Sequence, residues 1–476
     1  MHPMNPLFHS RRAFLRRSAQ LAFTGVALPT ALSLAAMGEA AAFDATDYKA
    51  LVCVFLYGGN DHANTVVPYD LASHSRYAAI RTDIALPRNA LTASRLVPAV
   101  PRSDGLQFAL HPAMTGLAGL FNAGHAAVQF NVGPLIEPLT RAQYEAGSAR
   151  VPPKLFSHND QQSFWQSAAP EGATTGWGGQ IGDLALSANA NTLFTCMSVT
   201  GNTVFLSGDT ALSYQVGAGG PVHIEGLNGW IYGSDAVGRA AAQIVQATRR
   251  HHLENAYNAV TRRAITAETA LNAVLAQNPA DSAAFAPLYG IANQSLARQL
   301  LMVARLIAGR HTLGLKRQVF FVSLGAFDHH GGLMASHADL MGQVSDAMTG
   351  FYNATAALGV SQAVTAFTAS EFGRTLTSNG DGSDHGWGGH HLVVGGAVQG
   401  GFYGSPPPVS VGDDLGNPDD QWHVGQGRLL PSTATDQYTA TLARWFGVAP
   451  GEMGPIAPNL GHFGGAAYPV NLGFLG

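Results

Sequence analysis

Charged residues are scarce in this chain of 476 residues. They make up 12% of it, about half of the roughly 25% that is usual in globular proteins. Lysine occurs only at Lys49, Lys154 and Lys316. Basic stripes with interleaved aromatic residues are missing, so a nucleic-acid partner is not expected. With 46% hydrophobic residues, the composition also excludes a disordered polyelectrolyte.

Cysteine is equally scarce. Cys53 and Cys196 are the only two, so no disulfide framework supports the fold. Each lies in an apolar run typical of a buried strand, and the sequence leaves two buried thiols and one disulfide as equal alternatives. The Gly-x-Ser-x-Gly motif is absent, which leaves an α/β-hydrolase nucleophile elbow without support.

The N-terminus has the pattern of an export signal. Ser10–Arg16 matches the twin-arginine consensus, Leu21–Met37 is mildly apolar, and Ala40–Ala42 offers a cleavage site. The apolar stretch is weak for a membrane span, which needs about 20 strongly apolar residues. We therefore expect residues 1–42 to be a signal peptide that engages the Tat translocon. The mature protein would be periplasmic or secreted, without a stable membrane span; an uncleaved anchor is the alternative.

The rest of the chain, residues 43–476, predicts one α/β domain. Apolar runs predict strands, and helical spacing predicts helices between them. The predicted strands are 51–57, 126–132, 319–324, 364–369 and 392–396, and the predicted helices are 111–124, 238–275, 292–309 and 337–358. This alternation favours a three-layer sandwich with a mostly parallel central sheet and a helical insertion or cap at about 195–309. A two-domain arrangement is the alternative.

Acidic and imidazole side chains follow several of these strands. Asp61, Asp328 with His329 and His330, and Glu371 come directly after predicted strands, and His385 lies in a Gly-rich loop before another. Because ligands bind at the carboxyl ends of strands in open α/β sheets, these groups should converge on one sheet edge. Imidazole nitrogen and carboxylate oxygen are the usual ligands of zinc and manganese. The pattern therefore predicts a site for a divalent metal.

Five ordered motifs carry a family resemblance. They are Tyr57-Gly58-Gly59-Asn60-Asp61, Ser157-His158-Asn159-Asp160, Phe327-Asp328-His329-His330-Gly331-Gly332, Ser370-Glu371-Phe372-Gly373-Arg374-Thr375 and Gly382-Ser383-Asp384-His385-Gly386. They resemble a family of Tat-exported bacterial proteins that is catalogued as a domain of unknown function and placed with the alkaline phosphatases, sulfatases and phosphomutases.

The resemblance implies a role for each matching position. It implies metal ligands at Asp61, Asp328, His330, Glu371 and His385, with His329 a less favoured substitute for His330. It also implies a nucleophile at Ser157. Ser157-x-x-Asp160 is at the same time the pattern of a helix-capping box. Arg374 can steady an oxyanion or pair with a carboxylate.

One position departs from the superfamily pattern. The superfamily has an Asp-His-Gly unit where this chain has Glu371-Phe372-Gly373, and a phenyl group cannot coordinate a metal. The second of two metals would then be weak, absent, or completed by His158, His390 or His391. Asp384 is as well suited to orient His385 as to bind metal.

Two functions follow as expectations. The first is an exported hydrolase of phosphate or sulfate esters with one or two divalent metals, Zn or Mn, acting on a small-molecule or polymer-borne ester. Neither cysteine lies in the Cys-x-Pro-x-Arg motif of the common sulfatases, so a formylglycine enzyme is excluded. The alternative is a catalytically degenerate binding or envelope-associated protein that keeps the fold and at most one metal.

Overall fold

The computed structural model describes residues 45–224, 226–227 and 231–476. The predicted signal peptide lies outside these residues. The strands are β1 Lys49–Leu56, β2 Val66–Pro68, β3 Phe108–Leu110, β4 Ala126–Gly133, β5 Cys196–Ser198, β6 Ser213–Gly217, β7 Gly220–Pro221, β8 Arg317–Leu324, β9 Val364–Ala369, β10 Gly389–Gly395, β11 Gly401–Tyr403 and β12 Thr433–Ala434.

The α-helices lie between and after these strands. They are α1 His62–Thr65, α2 Leu71–Arg81, α3 Thr115–Asn122, α4 Arg141–Glu145, α5 His158–Ser167, α6 Trp177–Ala185, α7 Asp235–Gln246, α8 His252–Gln277, α9 Ala286–Tyr289, α10 Ser295–Ala308, α11 Leu333–Ala357, α12 Thr435–Phe446 and α13 Met453–Ile456. The helix predicted at 238–275 is divided in two, because residues 247–251 leave the helical path between α7 and α8. Within the described residues, no helix is both long and apolar enough to cross a membrane.

A large central sheet organises the described chain. Its strand order is β11-β4-β10-β9-β1-β8-β5-β6-β7, and β12 pairs with β4. β1 runs parallel to both β8 and β9, whereas β10 runs antiparallel to β9 and β4. The predicted α/β class with a mostly parallel central sheet is therefore confirmed. The three-layer arrangement and the helical insertion stay predictions, and β5 to β7 of the 195–309 range extend the central sheet itself.

The apolar strands are buried on both sides. Alternate residues of β1 enter different hydrophobic clusters, because successive side chains of a strand point to opposite faces. Ala50, Val52 and Val54 pack with residues of α3, α8, α10 and α11, and Leu51, Cys53 and Phe55 pack with residues of α6 and α12. Cys53 and Cys196 are both buried free thiols. The structure thus favours the thiol alternative over a disulfide.

Candidate metal centre

The strand directions bring four loops to one edge of the sheet. β1, β8 and β9 are parallel and end there, and β10 begins there because it runs the opposite way. The loop after β8 carries Asp328 and His330, the loop after β9 carries Glu371, and the segment before β10 carries His385. His158 joins them as the first residue of α5.

Three imidazoles surround the carboxylate of Asp328. Nε2 of His330 and Nε2 of His385 each lie 3.2 Å from its Oδ1, and Nε2 of His158 lies 3.4 Å from its Oδ2. The Nε2 atoms of His330 and His385 are 2.9 Å apart. His158, Asp328 and His385 form a group whose ligand atoms all lie within 4.8 Å of one another.

The other nitrogen of each ring is held by an oxygen acceptor. Nδ1 of His385 lies 2.7 Å from the backbone carbonyl of Phe156, and Nδ1 of His330 lies 3.1 Å from Oδ1 of Asp384. Nδ1 of His158 lies 2.9 Å from Oε1 of Glu371. Carbonyl and carboxylate oxygens only accept, so Nδ1 of each ring carries a proton, and Nε2 of each ring presents a lone pair in the neutral form.

This tautomer pattern leaves lone pairs facing lone pairs. Nε2 of His330 and Nε2 of His385 cannot hydrogen-bond to each other or to a carboxylate unless a proton or a cation stands between them. Ligands of one zinc ion at about 2.0–2.1 Å lie roughly 3.3 Å from one another, close to the separations observed here. Metal-binding histidines also characteristically donate their second nitrogen to a carboxylate or carbonyl. The donor set therefore fits a divalent cation.

The carboxylates shift the protonation of these rings. The hydrogen bond to Glu371 raises the pKa of His158, with Asp328 adding to the effect, although partial burial opposes it. Burial lowers the pKa of His385, as do Arg374 and His158. Without a cation, His158 thus favours its protonated form, because the ring lies between two carboxylates. A bound metal would replace the proton on Nε2. The side chains of Asp328 and His330 are 41% and 48% exposed, so the cluster is open to an approaching ligand.

Glu371 lies on the far side of His158 from Asp328. Its carboxylate is fully buried, and Oε1 accepts hydrogen bonds from the backbone N–H of Gly58 and from Nε2 of Gln162 as well as from His158. The sequence predicts Glu371 as a metal ligand. The geometry instead places it where it orients the ring of His158 and fixes its tautomer.

Arg374 holds the carboxylate of Asp328 from the buried side of the cluster. Its guanidinium is fully buried, donates to Oδ1 of Asp328 at 2.5 Å and to the carbonyls of Gly58 and Ser383. Although burial alone raises the pKa of Asp328, this guanidinium holds it below the usual value. Because its donors are engaged inside the protein, Arg374 positions a carboxylate in this structure, which is the second of its two predicted roles.

Asp61 belongs to a separate, buried ion pair. Its Oδ2 lies 2.6 Å from Nη2 of Arg81, and both side chains are almost completely buried. Oδ2 also accepts the hydroxyl of Ser383, and Oδ1 accepts the backbone N–H of Asn64. Burial raises the pKa of Asp61, but Arg81 and nearby imidazoles outweigh it and keep the pKa low. The guanidinium of Arg81 thus already neutralises the carboxylate of Asp61, the charge that a second metal would otherwise neutralise.

Phe372 forms a wall beside the imidazoles. Its ring centroid lies 4.6 Å from that of His385 and 4.9 Å from that of His158, and the residue is buried. Gly59 adopts a positive φ of 79°, and a Cβ there would come within 2.2 Å of the Phe372 ring. The phenyl group that stands where the superfamily has an imidazole therefore packs against the rings of two ligand candidates.

Ser157 precedes the first turn of α5 but does not cap it with its side chain. The hydroxyl donates instead to Oδ2 of Asp160 at 2.9 Å, and Oδ1 of Asp160 lies 3.4 Å from Nζ of Lys154. The capping box suggested by the sequence is thus replaced by a serine–carboxylate pair next to His158. A hydroxyl with a carboxylate acceptor in place is a candidate nucleophile.

The remaining histidine alternatives lie elsewhere. His390 accepts the backbone N–H of Asn131, His391 packs on Trp165, and buried His329 packs on His337. The prediction did not identify the role of Arg81 or of the Phe156 carbonyl. Neither carries a local sequence signal, since an arginine on a helix and a backbone carbonyl occur throughout the chain.

The comparisons with known proteins agree with one part of the resemblance. Residues 48–418, more than half of the chain, match the family described as "Protein of unknown function (DUF1501)", and the chain belongs to that family. No curated protein matches the chain. The domain of unknown function is thereby confirmed, whereas the relation to alkaline phosphatases and sulfatases, and export through the Tat system, stay predictions.

Proposed function

We propose that this protein is an exported, metal-dependent hydrolase of phosphate or sulfate esters that uses one divalent cation, Zn²⁺ or Mn²⁺, on an alkaline-phosphatase-like three-layer fold with an insertion at about 195–309. The observation that carries the metal is the convergence of three Nε2 atoms on Asp328, each ring held by an oxygen acceptor at Nδ1. The ester class rests on the motif resemblance.

The proposed ligands are Asp328, His330, His385 and His158. This set differs from the sequence prediction at three positions. His158 is added as a ligand, whereas Glu371 binds His158 and Asp61 is paired with Arg81, so neither of these two is a ligand. One cation is proposed because Asp61, the carboxylate expected at a second metal, is already neutralised by a guanidinium at 2.6 Å. A bound cation would supply Lewis-acid polarisation of an ester oxygen.

Ser157 is the proposed nucleophile. Asp160 accepts its hydroxyl hydrogen bond and can take the proton as Oγ forms a bond to phosphorus or sulfur and the bond from that atom to the ester oxygen breaks. The alcohol then leaves with the proton that Asp160 took from Ser157. Water then hydrolyses the serine ester and returns the group as free phosphate or sulfate. Oδ1 of Asp160 in turn lies 3.4 Å from Nζ of Lys154.

A second candidate function has its own support. Arg374, which contacts Asp328 of the cluster, is fully buried and donates to Asp328, Gly58 and Ser383. It is therefore not free to steady the oxyanion of a transition state. A binding or envelope-associated protein that keeps the fold and one metal would need no such group.

Metal analysis and turnover together test the proposal. Protein purified without a histidine tag should hold about one divalent cation per chain and should hydrolyse aryl phosphates or aryl sulfates. Asp328→Ala and His385→Ala should lose both metal and turnover. Ser157→Ala should keep the metal and lose turnover.

The controls separate the alternatives. His311→Ala changes an exposed histidine outside the cluster and should leave both readouts unchanged. Bound metal without turnover on either ester class would favour the binding protein. Full turnover in Ser157→Ala would remove the serine mechanism, and the absence of metal in the purified chain would refute the metal centre.

A further inference from the structure

Helices α7 and α8, which do not contribute to the metal centre, present apolar side chains to solvent. In α7, Gly238 is the only buried residue, and Val237, Ala240 and Ile244 are exposed at helical spacing. In the first half of α8, Leu253, Tyr257 and Val260 are 74%, 69% and 62% exposed. These six residues, called here the α7–α8 face, lie at positions i, i+3 or i+4, and i+7 of their helices, so each set forms a stripe.

The second half of α8 behaves in the opposite way. Ala267, Leu271, Val274 and Leu275 are buried in the larger hydrophobic cluster. This part anchors the helix on the protein, whereas the part that begins at His252 carries its apolar stripe outward. A helix of a soluble protein normally turns its apolar stripe to the core, and a contiguous exposed stripe marks an interaction surface.

The same segment is basic in an otherwise acidic chain. Residues 235–263 contain five arginines and two acids, a net charge of +3, while the whole chain carries −4. The arginines are Arg239, Arg249, Arg250, Arg262 and Arg263. Two of them contact backbone carbonyls, Arg249 that of Ile244 and Arg262 that of Gln246, so those contacts do not cancel their charge.

The charge distinguishes between the occupants of such a face. A symmetric pair of chains would bring the same surface of each copy together, and the net positive segment of one copy would then lie against that of the other at a cost in free energy. Basic amphipathic helices with exposed leucine, isoleucine and tyrosine instead suit an anionic lipid surface, where the stripe enters the headgroup boundary and arginines meet phosphates. We propose that the α7–α8 face docks this protein on a bilayer of anionic phospholipids.

Vesicle binding tests this docking independently of any catalysis. The full chain is mixed with vesicles of phosphatidylcholine and phosphatidylglycerol in equal parts, or of phosphatidylcholine alone, and the bound fraction is measured by co-sedimentation. Binding should require the anionic lipid and weaken with salt. Ile244→Ser combined with Leu253→Ser should lower the partition coefficient by about tenfold or more. Arg250→Gln and Arg263→Gln should each lower it by about fivefold.

Matched variants control for general effects. Leu71→Ser removes an equally exposed leucine of α2, and Arg298→Gln removes an exposed arginine of α10; both should bind as the unmodified chain does. Circular dichroism should show the same thermal midpoint for all variants, because every changed side chain is exposed. Equal binding to both vesicle types would overturn the proposal. So would a dimer in sedimentation analysis that Ile244→Ser dissociates while vesicle binding is absent.

Discussion

Nε2 of His330 lies 2.9 Å from Nε2 of His385, and in the neutral rings both atoms present lone pairs because Asp384 and the Phe156 carbonyl accept from Nδ1. Two lone pairs at this distance repel each other unless a positive charge separates them. Asp328 adds a carboxylate oxygen 3.2 Å from each nitrogen. The arrangement is stable with a cation or an added proton, and this makes the metal content of the protein the first quantity to measure.

The carboxylates behind the imidazoles should control metal affinity. Glu371→Gln and Asp384→Asn keep an oxygen that can accept from Nδ1 of His158 and His330 but remove the negative charge. Each should lower the affinity for Zn²⁺ by about 10-fold to 100-fold, measured by competition with a chromophoric chelator. Asp346→Asn, an exposed carboxylate of α11, is the control and should have no effect. Unchanged affinity in both variants would place the metal elsewhere.

Phe372 should act through packing. Phe372→Ala opens a space beside His158 and His385 and should cost about 3–5 kcal/mol of folding free energy, seen as a lower midpoint in denaturant unfolding. Phe372→Leu should lose less, because it keeps more of the volume. Phe372→His should still bind one metal per chain, since Arg81 remains paired with Asp61. Two metals per chain in Phe372→His would contradict the assigned role of Arg81.

The Asp61–Arg81 pair should be a strong stability determinant. Arg81→Met leaves the carboxylate of Asp61 buried without its cation and should cost about 3–5 kcal/mol. Adding Asp61→Asn should recover much of that loss, because the second change removes the uncompensated charge. Both effects are measured as free energies of unfolding. A fully additive double variant would show that the two side chains do not interact, contrary to their 2.6 Å contact.

Asp436 should make stability depend on pH. Burial raises its pKa to about 6, although hydrogen bonds from Asn459 oppose the shift. The folded state therefore binds the proton more tightly than the unfolded state, whose carboxyl has a pKa of about 3.9. Stability should fall by up to about 3 kcal/mol as the pH rises from about 4 through 6. Asp436→Asn should flatten this slope in unfolding curves across that range, and an unchanged slope would count against the shift.

Much of the framework was predictable from local pattern. The strand predicted at 364–369 has those bounds in the structure, and those predicted from 51, 126, 319 and 392 differ at their ends by a few residues. Apolar runs bounded by glycine identify strands because the burial of a strand depends on its own side chains. Asp328, Glu371 and His385 were also predicted to meet at one edge of the sheet. Asp328 and Glu371 follow the ends of two strands, and His385 precedes the start of another, so the position of each loop in the chain was enough to place it there.

The sequence by itself thus determined the strands, the edge at which acids and imidazoles gather, and family membership through ordered motifs. Tertiary structure alone decided which groups meet. His158 joins Asp328 across 170 residues, Arg81 neutralises Asp61, and Glu371 contacts Nδ1 of His158, whose Nε2 is the atom near Asp328. The physical reason is that periodicity reports the burial of each segment, whereas the tautomer of an imidazole and the partner of a buried charge depend on side chains from segments far apart in the chain.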